Sequence, residues 1–295
     1  MDVTDPEVED MPQKMPYKER SVNTDNFEIK EDFNHQKLIF KGLKYYRKLK
    51  ARYKDISIDE IDEGIIVGFN DLRFYLKTVE DFYILAEVFY ESDYGLISAD
   101  ECVIFDVGMN IGLTSLFFAR KNFVKKIYSY EPVTETFDQG QYNFSLNKEY
   151  SHKIHCFNFG LGSSDKEEEF FFHPEAKGNC GSRGLNSPGL RSIDNLTKIR
   201  VEIKDICKAL RPLIETNQNY KKFIKIDCEG GEYEIIEKLD KEQYLKFFDG
   251  LIIEWHDNGS SVLENILLKN NFLIISKYET PISGIIYAFK NCERR

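Results

Sequence analysis

The segment spanning residues 102–120, CVIFDVGMNIGLTSLFFAR, constrains this chain more than any other: a short apolar run breaks into an acid, two glycines and an asparagine, then takes up helical spacing. Val103, Ile104 and Phe105 read as a buried strand, and Leu113, Leu116, Phe117 and Phe118 recur as one face of a helix. A strand that feeds a helix through glycines brings backbone N–H groups and a helix N-terminus to the carboxyl edge of a parallel sheet, where nucleotide-like ligands bind.

The loop itself narrows the ligand. Counting G-x-G-x-x-G from Gly108, the second glycine position holds Asn110 and the third Leu113, and no Gly-Lys-Ser/Thr follows. Neither a dinucleotide pyrophosphate nor a triphosphate is provided for. The remaining pattern, Asp106-x-Gly108-x-Asn110-x-Gly112 with Met109 between, suits an adenosine carrying a small charged tail.

Three further apolar runs end in polar residues. The run over residues 127–130 ends in Glu131 and Pro132, and an acid at that strand tip can accept both hydroxyls of a ribose. A third run ends in Asn158, Phe159 and Gly160, candidate neighbours of an adenine. A fourth, FIKIDCEGGEYEII, brings Asp227 and Glu229 to a strand end and opens a helix with Gly230, Gly231 and Glu232. Carboxylates crowded at a strand terminus repel one another unless a ligand or ion offsets them. A fifth, GLIIEWH, delivers Glu254, Trp255 and His256 to the same edge.

FDVGMNIGLTSLFFA, YEPVTETFDQGQYNFSLN, FNFGLGSSD, IKIDCEGGEYEIIEKL and LIIEWH, in this order and spacing, resemble the FkbM-type methyltransferases, a branch of the class I S-adenosylmethionine-dependent enzymes. The resemblance covers about residues 70–292. Met109 replaces a small residue before the asparagine, and EGGE replaces a more common EGAE. The resemblance implies a Rossmann-like α/β fold with the seven-stranded class I sheet, S-adenosylmethionine as cofactor, and O-methylation of a sugar, glycan or related hydroxylated metabolite. The cofactor-binding set is then Asp106, Gly108, Met109, Asn110, Gly112, Glu131, Pro132, Asn158, Phe159, Gly160 and Asp227, and the catalytic set is His256, Asp227 and Glu229. His256 is the first candidate base, with a pKa close to neutral if nearby carboxylates raise it modestly. Asp227 is the second; it alternatively holds the cofactor's ammonium, orients His256, or binds a divalent ion with Glu229 and Glu254. A metal is possible but not expected. Two other readings stay open: an NAD-dependent Rossmann-like oxidoreductase, which lacks its glycines at positions 110 and 113, and an inactive cofactor-binding scaffold.

Composition bounds the rest. The 295 residues, 42% hydrophobic, suit one large α/β domain with an appendage. A net charge of −10 argues against nucleic-acid partners. No apolar run is long enough to span a membrane, no signal-peptide core is evident, and the six cysteines form no Cys-x-x-Cys pair, so reduced thiols in a cytoplasmic protein are expected. Residues 1–34, acidic and proline-containing, read as a disordered tail. Residues 35–100 read as an appendage and 101–295 as the methyltransferase domain. In the appendage, residues 36–54 form an amphipathic helix whose basic face offers a peripheral contact, residues 64–78 a hairpin, and residues 79–89 a helix. EEEFFF and KIRVEI read as added strands, and GNCGSRGLNSPG between them as a long mobile loop in which Asn179, Ser182 and Arg183 are acceptor-contact candidates. Two C-terminal runs complete a mixed seven-stranded sheet.

Overall fold

The computed structural model describes residues 35–91, 94–95 and 98–291; the tail expected over 1–34, and Cys292, lie outside the described residues. The helix Gln36–Arg52 buries Ile39, Gly42, Tyr46 and Leu49. Part of its basic face is engaged locally: Lys48 pairs with Glu91 at 2.7 Å, and Arg52 donates to the Tyr90 carbonyl at 2.6 Å. Strands β1 (Ser57–Ile61), β2 (Gly64–Phe69) and β3 (Leu72–Leu76) form a small antiparallel sheet, one strand more than the expected hairpin. The next helix starts at a Thr78–Asp81 capping box and is α-helical only over Val79–Ala86. It then widens into a π turn, Glu87–Glu91, shortening the helix read from sequence.

The central strands are β4 (Cys102–Val107), β5 (Val124–Tyr130) and β6 (Ile154–Phe157). The third run ends there, and β7 (Gly160–Gly162) begins a separate three-stranded sheet with β8 (Lys166–Phe172) and β9 (Thr197–Asp205), the two added strands. Then come β10 (Lys221–Ile226), β11 (Gly250–His256), β12 (Phe272–Thr280) and β13 (Ser283–Lys290). The seven-stranded order is β12-β13-β11-β10-β4-β5-β6. From β11 to β6 the pairs are parallel, and β13 and β12 add the antiparallel end.

Parallel strands covered on both faces must be apolar on both. On β4, Cys102 and Ile104 join one cluster, with Leu113, Leu116 and Phe118 of the helix Leu113–Ala119. Val103, Phe105 and Val107 join the other, with Leu210, Ile235, Leu239 and Leu263 from three helices. The first cluster runs without a break into the N-terminal elements, through Tyr46, Phe74, Phe82 and Phe89. Because β4, β5, β10 and β11 are mutually parallel, Gly108, Glu131, Asp227 and His256 reach one sheet edge. Among the described residues no helix is long and apolar enough to cross a membrane.

Candidate active site

The loop after β4 is shaped by close contacts. Gly108 has φ +82°, and a Cβ there would lie 1.7 Å from the Asp227 carbonyl oxygen, so the tips of β4 and β10 touch through backbone. Gly112 has φ +81° and packs under Phe144, which a Cβ would meet at 2.5 Å; it sets helix packing and lines neither cavity described below. Asn110, at φ +50°, donates its backbone N–H to Glu131 Oε2 at 3.0 Å.

Glu131 therefore begins as a scaffold for the loop. Its other oxygen accepts the Val133 N–H at 3.0 Å, and burial pushes its pKa up to about 7 against these two hydrogen bonds. Asp106 is fully buried and faces neither cavity. Its Oδ2 accepts from Ser115 at 2.6 Å, and Oδ1 lies 3.4 Å from the Lys225 ammonium. The adenine candidates also move: Asn158 donates to the Glu131 carbonyl at 3.0 Å, while Phe159 packs on Tyr130 beneath the Lys204 ammonium. Neither lines a cavity, whereas Pro132 and Gly160 do.

Around His256 the acids converge. Glu232, fully buried, accepts the His256 backbone N–H at 2.8 Å and holds Nδ1 at 3.1 Å. Nε2 lies 3.5 Å from Glu229 Oε1 and 3.6 Å from Glu254 Oε1. Burial alone would lower the imidazole pKa, but Glu232, Glu254 and Glu229 outweigh it and push it up to about 11. This lies above the near-neutral expectation, because Glu232, Glu229 and Glu254 all come within 3.1–3.6 Å of the ring, and it favours the imidazolium over the free base. Burial pushes Glu229 up to about 7 against the attraction of His256 and Arg183, which leaves a carboxyl that titrates in the range a general base needs. Asp227, Glu229 and His256 each offer one atom within 4.8 Å of the others, a set able to hold a metal ion. Trp255, between Glu254 and His256, is buried in the core.

The segment expected as a mobile loop is anchored instead, folded as short turns over Pro174–Asn179, Gly184–Asn186 and Pro188–Arg191. The Arg183 side chain is 6% exposed and bridges Glu229 Oε2 at 2.8 Å and both Asp257 oxygens at 2.8 and 2.9 Å. Asn179 and the Gly178 N–H donate to Glu80 at 2.8 and 3.2 Å. These partners are distant in sequence, so local composition gave no sign of them.

Two cavities share Gly108, Asn110, Gly178, Asp227 and Glu229. One, about 670 Å³, is walled by Glu80, Tyr83, Glu87, Tyr94, Met109, Lys225, Glu254, His256 and the turn between β12 and β13. The other, about 60 Å³, lies between Glu131, Pro132, Gly160, Cys180 and Ser182. Lys225, Glu80, Glu87 and Tyr94 were not singled out in the sequence. Lys225 alone carried a signal: a lysine inside an apolar central-strand run needs buried partners.

With the geometry in place, comparison with known proteins identifies its lineage. A family model described as "Methyltransferase FkbM domain" matches residues 106–273. Methyltransferase 1 of Beauveria bassiana is 26% identical over 201 residues, covering 64% of this chain and 79% of that protein. Methyltransferase sdnD of Sordaria araneosa is 26% identical over 227 residues, covering 70% of this chain and 87% of its own length. Among solved structures, an FkbM methyltransferase from Methylobacillus flagellatus aligns with a TM-score of 0.42 at 14% identity, over 87% of this chain; the chain spans 61% of that protein's length. With more than half of its length matched to that model, the chain belongs to the methyltransferase FkbM domain family.

Proposed function

We propose that the chain moves a methyl group from S-adenosylmethionine to a hydroxyl of a sugar, glycan or related metabolite, with Asp227 and Glu229 at the point of transfer. The observation that carries this reading is that these two acids line both cavities, so whatever occupies the two meets beside them. The smaller cavity holds the residues suited to an adenosine: Glu131 for the ribose and the Gly108–Asn110 backbone for the tail. Its volume of about 60 Å³ is below the ~300 Å³ at which small-molecule pockets begin. These groups are of the right kind but already engaged, the Gly108 and Met109 N–H groups by the Tyr130 carbonyl and both Glu131 oxygens by backbone N–H groups, and the closed volume is too small, so on this reading the 174–191 segment moves aside on entry.

When bound, the cofactor supplies an activated methyl on a sulfonium, and the chain's share is alignment and proton removal. Glu229 takes the hydroxyl proton on Oε1, while Arg183 holds Oε2. His256, held as an imidazolium by Glu232, orients Glu229 and Glu254. The larger cavity receives the acceptor: its wall is largely apolar, with Ile84, Val88 and Leu113, and Glu80, Glu87 and Tyr94 offer hydrogen-bond partners to hydroxyls.

Titration calorimetry with S-adenosylmethionine and with NAD tests the cofactor, and transfer of labelled methyl to a panel of hydroxylated glycans tests the acceptor. Heat with NAD and none with S-adenosylmethionine overturns the reading in favour of an oxidoreductase.

A further inference from the structure

Lys225 stands out as a charge in a strand that should carry none. Strand β10 is central, flanked by β4 and β11, and buried over all but its first residue. Lys225 pairs in register with Asp106 and Ile252 and is 2% exposed at its side chain, yet it is among the residues lining the larger cavity. A lysine is rarely buried to this degree without partners.

Its ammonium has three oxygens within 3.4 Å. Nζ donates to the Gly108 carbonyl at 2.6 Å, and lies 3.2 Å from Asp227 Oδ2 and 3.4 Å from Asp106 Oδ1. The Gly108 contact is a hydrogen bond, and the two carboxylates are held as ion pairs. Asp106 Oδ1 has no hydrogen bond of its own, which leaves the Lys225 charge as its compensation. Burial alone would lower the Lys225 pKa, and Asp227 and Asp106 outweigh this and hold it above the ordinary lysine value. The other groups near Nζ are Glu254 and Tyr94, whose ring centroid is 5.4 Å away.

This clasp spans the junction where Gly108 touches the Asp227 backbone and where the Asp227 N–H donates to the Val107 carbonyl at 3.1 Å. Asp227 Oδ2 also accepts from Tyr94 at 3.2 Å. Its Oδ1 accepts no hydrogen bond among the described residues and belongs to a carboxylate that lines both cavities. We infer that Lys225 is a positioning residue of the transfer site: it ties the Gly108 carbonyl to the Asp227 carboxylate, so that the glycine loop and the acid form one rigid unit with Oδ1 left for the bound molecules. The inference rests on the proposed transfer at Asp227, but the clasp can be read without it.

The test uses Lys225→Met, which keeps length and removes charge and donors, Lys225→Arg, Asp227→Asn, and the Lys225→Met/Asp227→Asn pair, all in the full chain. Lys225→Met should accelerate amide hydrogen exchange at Gly108 and Asp227 at least tenfold with no ligand present. It should weaken S-adenosylmethionine binding at least tenfold, Lys225→Arg should recover a third or more of that affinity, and Lys225→Met should add less than twofold on the Asp227→Asn background. Where Lys225→Met does not fold, Asp106→Asn/Lys225→Met removes both buried charges and carries the same measurements. Unchanged exchange at the two amides, additive losses in the double variant, or no recovery with arginine would overturn the inference. No binding of S-adenosylmethionine by the unaltered chain would count against the proposed function and leave the exchange result to decide the clasp.

Discussion

Arg183→Gln should open the 174–191 segment without unfolding the sheet. Arg183 makes three side-chain hydrogen bonds at 2.8–2.9 Å, one to Glu229 and two to Asp257. Hydrogen bonds to charged groups contribute about 1.5–3 kcal/mol each, but Asp257 is 30% exposed and its share is reduced by solvent. A total of about 3 kcal/mol is a reasonable sum, equivalent to roughly a hundredfold shift in the opening equilibrium. Other anchors remain, among them Glu80 to Gly178 and Asn179, the buried Lys177 to Asp81 and Gln139, and the Arg183 N–H to the Glu229 carbonyl, and no core residue is touched. Hydrogen exchange followed by peptide mass analysis should show amides over residues 180–187 exchanging about 10²-fold faster in the ligand-free variant, while β4 and β10 keep their rates. S-adenosylmethionine should associate faster, since the smaller cavity is opened in advance. A change below threefold in the segment, or equal acceleration across the sheet, would refute the latch.

Stability should fall as pH rises. Glu80, Glu131 and Glu229 are each pushed up to about 7 by burial, so between about pH 5 and 7 the folded ligand-free chain holds protons that the unfolded chain has released. His256, pushed up to about 11, extends the decline above pH 6.5. Differential scanning fluorimetry should therefore give a Tm several degrees higher at pH 5.5 than at pH 8.5, and a flat or rising trend contradicts it. Glu131→Ala should weaken S-adenosylmethionine binding by about 1.5–3 kcal/mol in calorimetry and also loosen the 108–112 loop, because the Asn110 and Val133 N–H groups lose their acceptor; equal affinity would remove Glu131 from the cofactor site. Chelator should leave cofactor affinity and Tm unchanged, whereas a Tm rise of several degrees on adding Mn²⁺ would make Asp227, Glu229 and His256 metal ligands.

What was legible in the sequence was whatever the strand period and the strand ends encode. Each apolar run that stops at an acid or glycine became a strand whose tip reaches the site, because parallel strands buried on both faces leave polar residues nowhere else to go. Asp227, Glu229, Glu254, His256 and Glu131 were read as candidates this way, and the parallel strands bring them to one sheet edge. Phe159 and Asn158 misled because a strand-end aromatic and amide serve packing and backbone capping equally well. The state of His256 was out of reach, since it depends on Glu232 approaching from the helix between β10 and β11. The anchoring of 174–191 was illegible for the same reason: its composition reads as turn, and its restraints lie at Glu80, Glu229 and Asp257.

The larger cavity is assembled from two sources. Glu80, Tyr83, Ile84, Glu87, Val88 and Tyr94 precede the stretch matched to the family model, and the turn residues Thr280–Ser283 follow it, whereas Gly108, Asn110, Asp227 and Glu229 lie inside it. On the proposed function, the wall that meets the acceptor is therefore encoded partly outside the family-matched stretch and partly within it. Exchanging residues 79–88 between relatives should then shift acceptor preference more than affinity for the methyl donor.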